Sequence, residues 1–140
     1  MLKQLLIIIS IFGISFCQIQ RGGTPTYFSE RIDEVNFIRI SQDNVVDRNF
    51  HPMVFEFGIE YDVNINVIEN ATVIENNGIL TYLLGLESDG AYGIGVNFDQ
   101  FKLTENSSLF FYDENQTYFL GSLNSQNNKS TEDLTTSIIK

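Results

Sequence analysis

The chain has 140 residues, with 18 Asp and Glu against 8 Lys and Arg, and a formal net charge of −10. An acidic surface with no Lys/Arg cluster repels phosphate backbones and anionic lipid, which excludes nucleic acid and a membrane surface as expected partners. A single cysteine, Cys17, permits no internal disulfide, and a single histidine leaves no zinc or haem site in view.

Lys3 is followed by an apolar run over residues 5–16, broken only by Ser10, Gly13 and Ser15, and then by the polar Gln18-Ile19-Gln20-Arg21. That order predicts a helical secretory signal peptide, with Ser15 and Cys17 as the small residues that place cleavage before Gln18. The run falls short of the ~20 residues that span a bilayer. Phe16, bulky and directly before Cys17, argues against acylation of that cysteine. Residues 1–17 are therefore expected to be a signal peptide and residues 18–140 one secreted domain, extracellular or periplasmic, with no membrane association after cleavage. Loss of Lys3 takes the charge of those 123 residues to −11. The acidity suits solubility, and it leaves a basic protein partner open. With no cysteine left, the fold must rest on burial of Phe, Tyr, Ile, Leu and Val.

Gly22-Gly23 and Pro25 predict a loop-like approach to the domain. Residues 29–35 carry a weak signal for one helical turn with Ser29 as cap. A short apolar segment follows at 37–40, and 41–49 is polar and loop-like. From Met53 the pattern is period two: Phe55, Phe57, Ile59, Tyr61, Val63, Ile65 and Val67 alternate with mostly polar residues, which predicts a long strand bent at Gly58. Asn77-Gly78 predicts a type I′ hairpin pairing a strand near 71–74 with one over 79–86. Four short strands are then expected at 91–98, 101–103, 109–112 and 117–120, separated by Asp, Asn, Ser and Gly clusters. In the first of these Gly93 and Gly95 share one face, a pattern of close packing by a neighbouring segment. A polar stretch at 122–133 leads to a last strand at 134–139. Many short strands with turn signals predict an all-β chain, an antiparallel β-sandwich of jelly-roll type.

Catalytic chemistry is sparse. His51 lies between Phe50 and Pro52, and no glycine-framed serine of the G-x-S-x-G or G-D-S-G-G kind accompanies it, so no catalytic residue is assigned. Asp62-Val63-Asn64-Ile65-Asn66 begins like a calcium loop, but the sixth and twelfth positions are Val67 and Val73, so these oxygens are expected to form the wet face of a strand. Asp113-Glu114-Asn115 reads as a turn, with a weak extracellular calcium site left open. Neither metal nor cofactor is assigned.

Three blocks, residues 22–28, 55–58 and 83–128 with Gly22-Gly23-Thr24-Pro25, Phe55-Glu56-Phe57-Gly58 and Asn97-Phe98-Asp99-Gln100-Phe101 among them, resemble in order the N-terminal region of secreted bacterial serine proteases of the lysyl endopeptidase and trypsin-like type. Gly22-Gly23-Thr24-Pro25-Thr26-Tyr27-Phe28 resembles their G-G-x-P-x-S-F opening, and Phe55-Glu56-Phe57-Gly58 their R-F-G strand. The third block runs from Leu83-Leu84-Gly85-Leu86-Glu87-Ser88 and Gly90-Ala91 through Val96-Asn97-Phe98-Asp99-Gln100-Phe101-Lys102-Leu103. It continues through Leu109-Phe110-Phe111-Tyr112 and Leu120-Gly121-Ser122 to Asn127-Asn128. Tyr82, Glu56 and Thr104 stand where the family favours Trp, Arg and Pro. The resemblance implies a noncatalytic, pro-region-like domain whose partner is a C-terminal protease domain of the same precursor, which it helps to fold or keeps latent. It also implies a sandwich cut short at its C-terminal edge, marginal in stability alone. In such a bacterial chain the sequons at Asn70, Asn106, Asn115 and Asn128 are expected by chance. The alternative is a secreted jelly-roll-like module for carbohydrate or cell-surface ligands, with Tyr82, Tyr92, Tyr112 and Tyr118 available for stacking on sugars.

Overall fold

The computed structural model describes residues 22–28, 32, 34–41 and 58–140. The expected signal peptide, His51 and the Phe55-Glu56-Phe57 block lie outside the described residues, as does most of the expected helical turn at 29–35. Within the described residues the regular secondary structure is mostly strand, with almost no helix. The strands are β1 (Asn36–Ile40), β2 (Thr72–Asn76), β3 (Ile79–Ser88), β4 (Asn97–Phe98), β5 (Leu109–Tyr112), β6 (Phe119–Leu123) and β7 (Leu134–Thr135). Among the described residues, helix is confined to α1 (Val67–Asn70) and a 3-10 turn at Ser125–Asn127. The mostly-β class follows from the sequence pattern. The strands form three small sheets, ordered β1-β3-β2, β4-β7 and β5-β6.

The Asn77-Gly78 hairpin forms as its residues dictate. Both adopt positive φ, 51° and 76°, and Asn76 pairs with Ile79 across the turn. A departure from the antiparallel expectation lies beside it, because β1 runs parallel to β3, with Phe37 opposite Gly85 and Ile40 opposite Ser88. A parallel pair needs a long crossover, and the chain between Ile40 and Ile79 supplies one. The missing side chain at Gly85 lets the Phe37 ring lie over the strand, where a Cβ would collide with it.

The period-two strand does not continue through 58–66. Only Tyr61 makes a bridge there, and Ile59 stays 62 % exposed, so alternation in sequence is not matched by a buried face. The local competitor is Asn66, whose side chain accepts the Ile68 N–H at 3.1 Å and caps α1. Asp62 to Asn66 are accordingly loop and cap rather than the wet face of a strand.

Further along, the expected strand at 91–98 is reduced to β4 plus a single bridge from Ile94 to Ile139. A Cβ on Gly93 would lie 2.6 Å from the Ile139 carbonyl, so close backbone packing is the role of that glycine. Residues 101–103 are not a strand, because their backbone groups are satisfied elsewhere: Phe101 N–H donates to Glu132 O, and Leu103 is held by the Asn128 side chain. β6 begins at Phe119 rather than Thr117, since the Thr117 and Tyr118 N–H groups both donate to Asp113. One extra β6 residue between the Leu109–Leu123 and Phe111–Leu120 pairs makes a β-bulge in the β5-β6 ladder. The expected strand at 134–139 is β7 followed by irregular chain that keeps contact with the β4 side through Thr136 N–H to Val96 O.

The core lies between the two-stranded sheets. Phe101, Leu123 and Leu134 are buried, and Phe98, Leu103, Leu109 and Phe111 pack around them. Phe98 meets Phe101 and Phe111 with ring centroids 5.7 and 6.1 Å apart, in tilted geometry that favours aromatic contacts. The three-stranded sheet differs: none of its described residues is fully buried, and Val73, Ile79 and Leu80 are more than half exposed.

Candidate functional site

Two features of the described residues have site-like geometry. The first is a cleft of about 200 Å³ lined by Ile40, Ser41, Tyr61, Ser88 and Asp89. It sits where the parallel β1-β3 pair ends, because Ile40 and Ser88 are register partners there. Beside it Arg39 Nε donates to Glu87 Oε1 at 2.7 Å and lies 4.0 Å from Asp89 Oδ1. The Glu87 hydrogen bond and charge, aided by Asp89, raise the Arg39 pKa. The cleft thus presents one ring, two hydroxyl residues and one carboxylate, which suits polar recognition.

The second is the β5-β6 surface under residues 22–28. Pro25 is buried, and Phe28 N–H donates to Pro25 O at 3.1 Å to close a turn. The Phe28 ring meets Tyr112 edge-on at 5.9 Å and Phe119 at 5.0 Å, and those two residues are register partners across the ladder. Ser122 Oγ donates to Gly22 O at 3.0 Å, and Gln116 Nε2 reaches Tyr27 O at 3.4 Å. Burial raises the Tyr112 pKa.

Asp113, expected within a turn, does form one: Gln116 N–H donates to Asp113 O at 2.9 Å. Its carboxylate is consumed by that loop. Oδ1 accepts from the Thr117 and Tyr118 N–H groups at 2.8 and 2.7 Å, and Oδ2 from the Thr117 hydroxyl at 2.7 Å. No group of three or more His, Cys, Asp or Glu placed to hold a metal occurs among the described residues. The four tyrosines considered for stacking fall on β3, the 91–96 segment, β5 and the residue before β6. Tyr92 is 98 % exposed, whereas Tyr112 is engaged with Phe28.

Of the sequon residues, Asn70, Asn106 and Asn115 are exposed. Asn128 instead braces the backbone, since its Oδ1 accepts the Leu103 N–H at 2.9 Å and its Nδ2 donates to Leu103 O at 2.8 Å. The neighbouring Asn127 is buried and its Oδ1 accepts the Asn124 N–H, completing a capping box on the 3-10 turn. Asn128→Ala strands both Leu103 backbone groups in a part-buried place, and is expected to lower the unfolding free energy by about 1–3 kcal/mol in urea titration. A loss no larger than that of an exposed control such as Asn106→Ala would show that solvent replaces the amide.

The sequence carried no pointer to the cleft, whose residues come from separate stretches of chain. Residues 22–28 were legible in the sequence as a loop with Gly22-Gly23 and Pro25 and as the first block of the resemblance, with nothing to show that they pack on β5-β6. A scan against protein-family models finds no match, and searches of curated proteins and of solved structures find none either. Among the described residues no helix is long and apolar enough to cross a membrane.

Proposed function

We propose that the chain is a secreted, noncatalytic β-sandwich, the N-terminal pro-region-like domain of a trypsin-like or lysyl endopeptidase-like serine protease, which assists folding of the protease domain or keeps it latent. The observation that carries this reading is the ordered series of sequence blocks from Gly22 to Asn128. Their residues serve the framework: Phe98, Phe101, Leu103, Leu109 and Phe111 in or around the core, and Asn127 and Asn128 as backbone brackets. Packing of β4-β7 and β5-β6 about one shared core supports a sandwich arrangement. The test is to refold a lysyl endopeptidase-type catalytic domain with and without the chain, and to assay the mature protease in its presence. A higher yield of active enzyme, or suppression of its activity at equimolar chain, is the expected result. No effect in either assay rejects the assignment.

The Tyr61–Asp89 cleft favours a second reading, a binding module for carbohydrate. A carboxylate and hydroxyls beside a ring match the edge and face of a sugar. Binding in a glycan panel that is lost in Asp89→Asn and Tyr61→Ala would support it, and an empty panel removes it.

A further inference from the structure

We infer that the β5-β6 surface is a peptide-recognition groove for a proline-led turn that ends in phenylalanine, filled in this structure by the chain's own residues 22–28. This inference stands independently of the protease pro-region reading.

Residues 22–28 are held as a ligand is held rather than as a strand. None of them joins a sheet, so no backbone ladder ties them down. Among the described residues, the attachment includes a buried proline, one ring seated against Tyr112 and Phe119, and two carbonyls that accept from side-chain donors. A few apolar anchors with side-chain donors aimed at peptide carbonyls is the economy of groove-type peptide recognition. The donors are spaced to read a short segment, since Ser122 takes the carbonyl of Gly22 and Gln116 that of Tyr27 at the far side of the turn. The turn is self-closed by the Phe28 to Pro25 bond, so the bound shape is largely preset and little ordering entropy opposes docking.

Tethering decides which copy of the segment wins. An attached segment faces its groove at an effective concentration of roughly millimolar, so a weak intrinsic affinity keeps it docked. A second peptide of the same chemistry binds only to the fraction of molecules whose own segment is out. If that fraction is about one in ten, the apparent affinity for the free peptide falls about tenfold.

The probe is a fluorescently labelled peptide of residues 22–28, titrated into the full chain and into the full-length Pro25→Ala/Phe28→Ala variant. The variant is expected to bind it saturably, at least about tenfold more tightly than the unaltered chain. A peptide lacking the phenylalanine should not bind. Failure of a folded variant to bind, or equal binding of the altered peptide, overturns the groove. Should the variant unfold, the unaltered chain still decides the matter. Excess unlabelled peptide must then speed chymotrypsin cleavage after Tyr27, by displacing the tethered segment, while the phenylalanine-free peptide leaves the rate unchanged. No difference between the two peptides overturns the proposal.

Discussion

Leu123→Ala is expected to be the most damaging single truncation in the described chain, lowering the unfolding free energy by roughly 3–5 kcal/mol. Leu123 has no exposed surface and sits at the centre of the cluster with Phe101 and Leu134, where both two-stranded sheets contribute side chains. Truncation there removes the transfer free energy of the lost carbons and leaves a void that neighbours from two sheets must shift together to fill. No disulfide braces the domain, since Cys17 is the only cysteine. For a domain of ordinary stability, about 5–15 kcal/mol in total, the loss is a large fraction. Thermal and urea unfolding of Leu123→Ala should be compared with Leu80→Ala, whose residue is 53 % exposed. Similar midpoints for the two would mean that the cluster is not the seat of stability.

Asp113 carries the second large effect, with a pH signature of its own. Its carboxyl is held below the usual carboxylate range, chiefly by the Tyr118 N–H, with the Thr117 hydroxyl and N–H adding to the effect while burial opposes it. A depressed pKa means that the ionised form is favoured by folding. The stabilisation is therefore complete above the unfolded carboxylate value of ~4 and drains away as pH falls through the lower folded value. Asp133 is depressed in the same direction, chiefly by the Thr131 hydroxyl and then by Lys129, so the acid limb has at least two contributors. Asp113→Ala removes three hydrogen bonds at once and frees the turn that sets the start of β6. It is expected to lower the melting temperature at neutral pH more than Asp133→Ala does. Asp113→Asn keeps an acceptor for the two backbone groups, so it should cost less at neutral pH and flatten the loss of stability below pH ~4. An acid limb identical to that of the unaltered chain would show that Asp113 does not report on folding.

The relation between the two strands of the Asn77-Gly78 hairpin was legible because it is local. Both turn residues tolerate positive φ, and the flanking segments are apolar and close in sequence. The same holds for β5, a compact run of Leu109-Phe110-Phe111-Tyr112 with turn signals on either side. In two of the places where the structure departs from the expected strands, a side chain has claimed backbone groups that a strand would otherwise use. Asn66 caps α1 inside an alternating pattern, and Asp113 takes the N–H groups of Thr117 and Tyr118. Polar side chains that compete with the ladder are visible in a sequence, but which of them prevails depends on burial that no pattern shows.

Sequence alone determined the mostly-β class, the acidic charge, the absence of internal disulfides and the position of the Asn77-Gly78 turn, because composition and turn chemistry act over a few residues. Only the tertiary structure decided that β1 runs parallel to β3, that Asn128 brackets Leu103 from 25 positions away, and that residues 22–28 dock on β5-β6 through Ser122, 100 positions from Gly22. It also brought Tyr61 and Asp89 to one cleft. Each of these joins segments whose contact depends on how the intervening chain closes, and a closure entropy that grows only slowly with loop length leaves no local mark on the residues that meet.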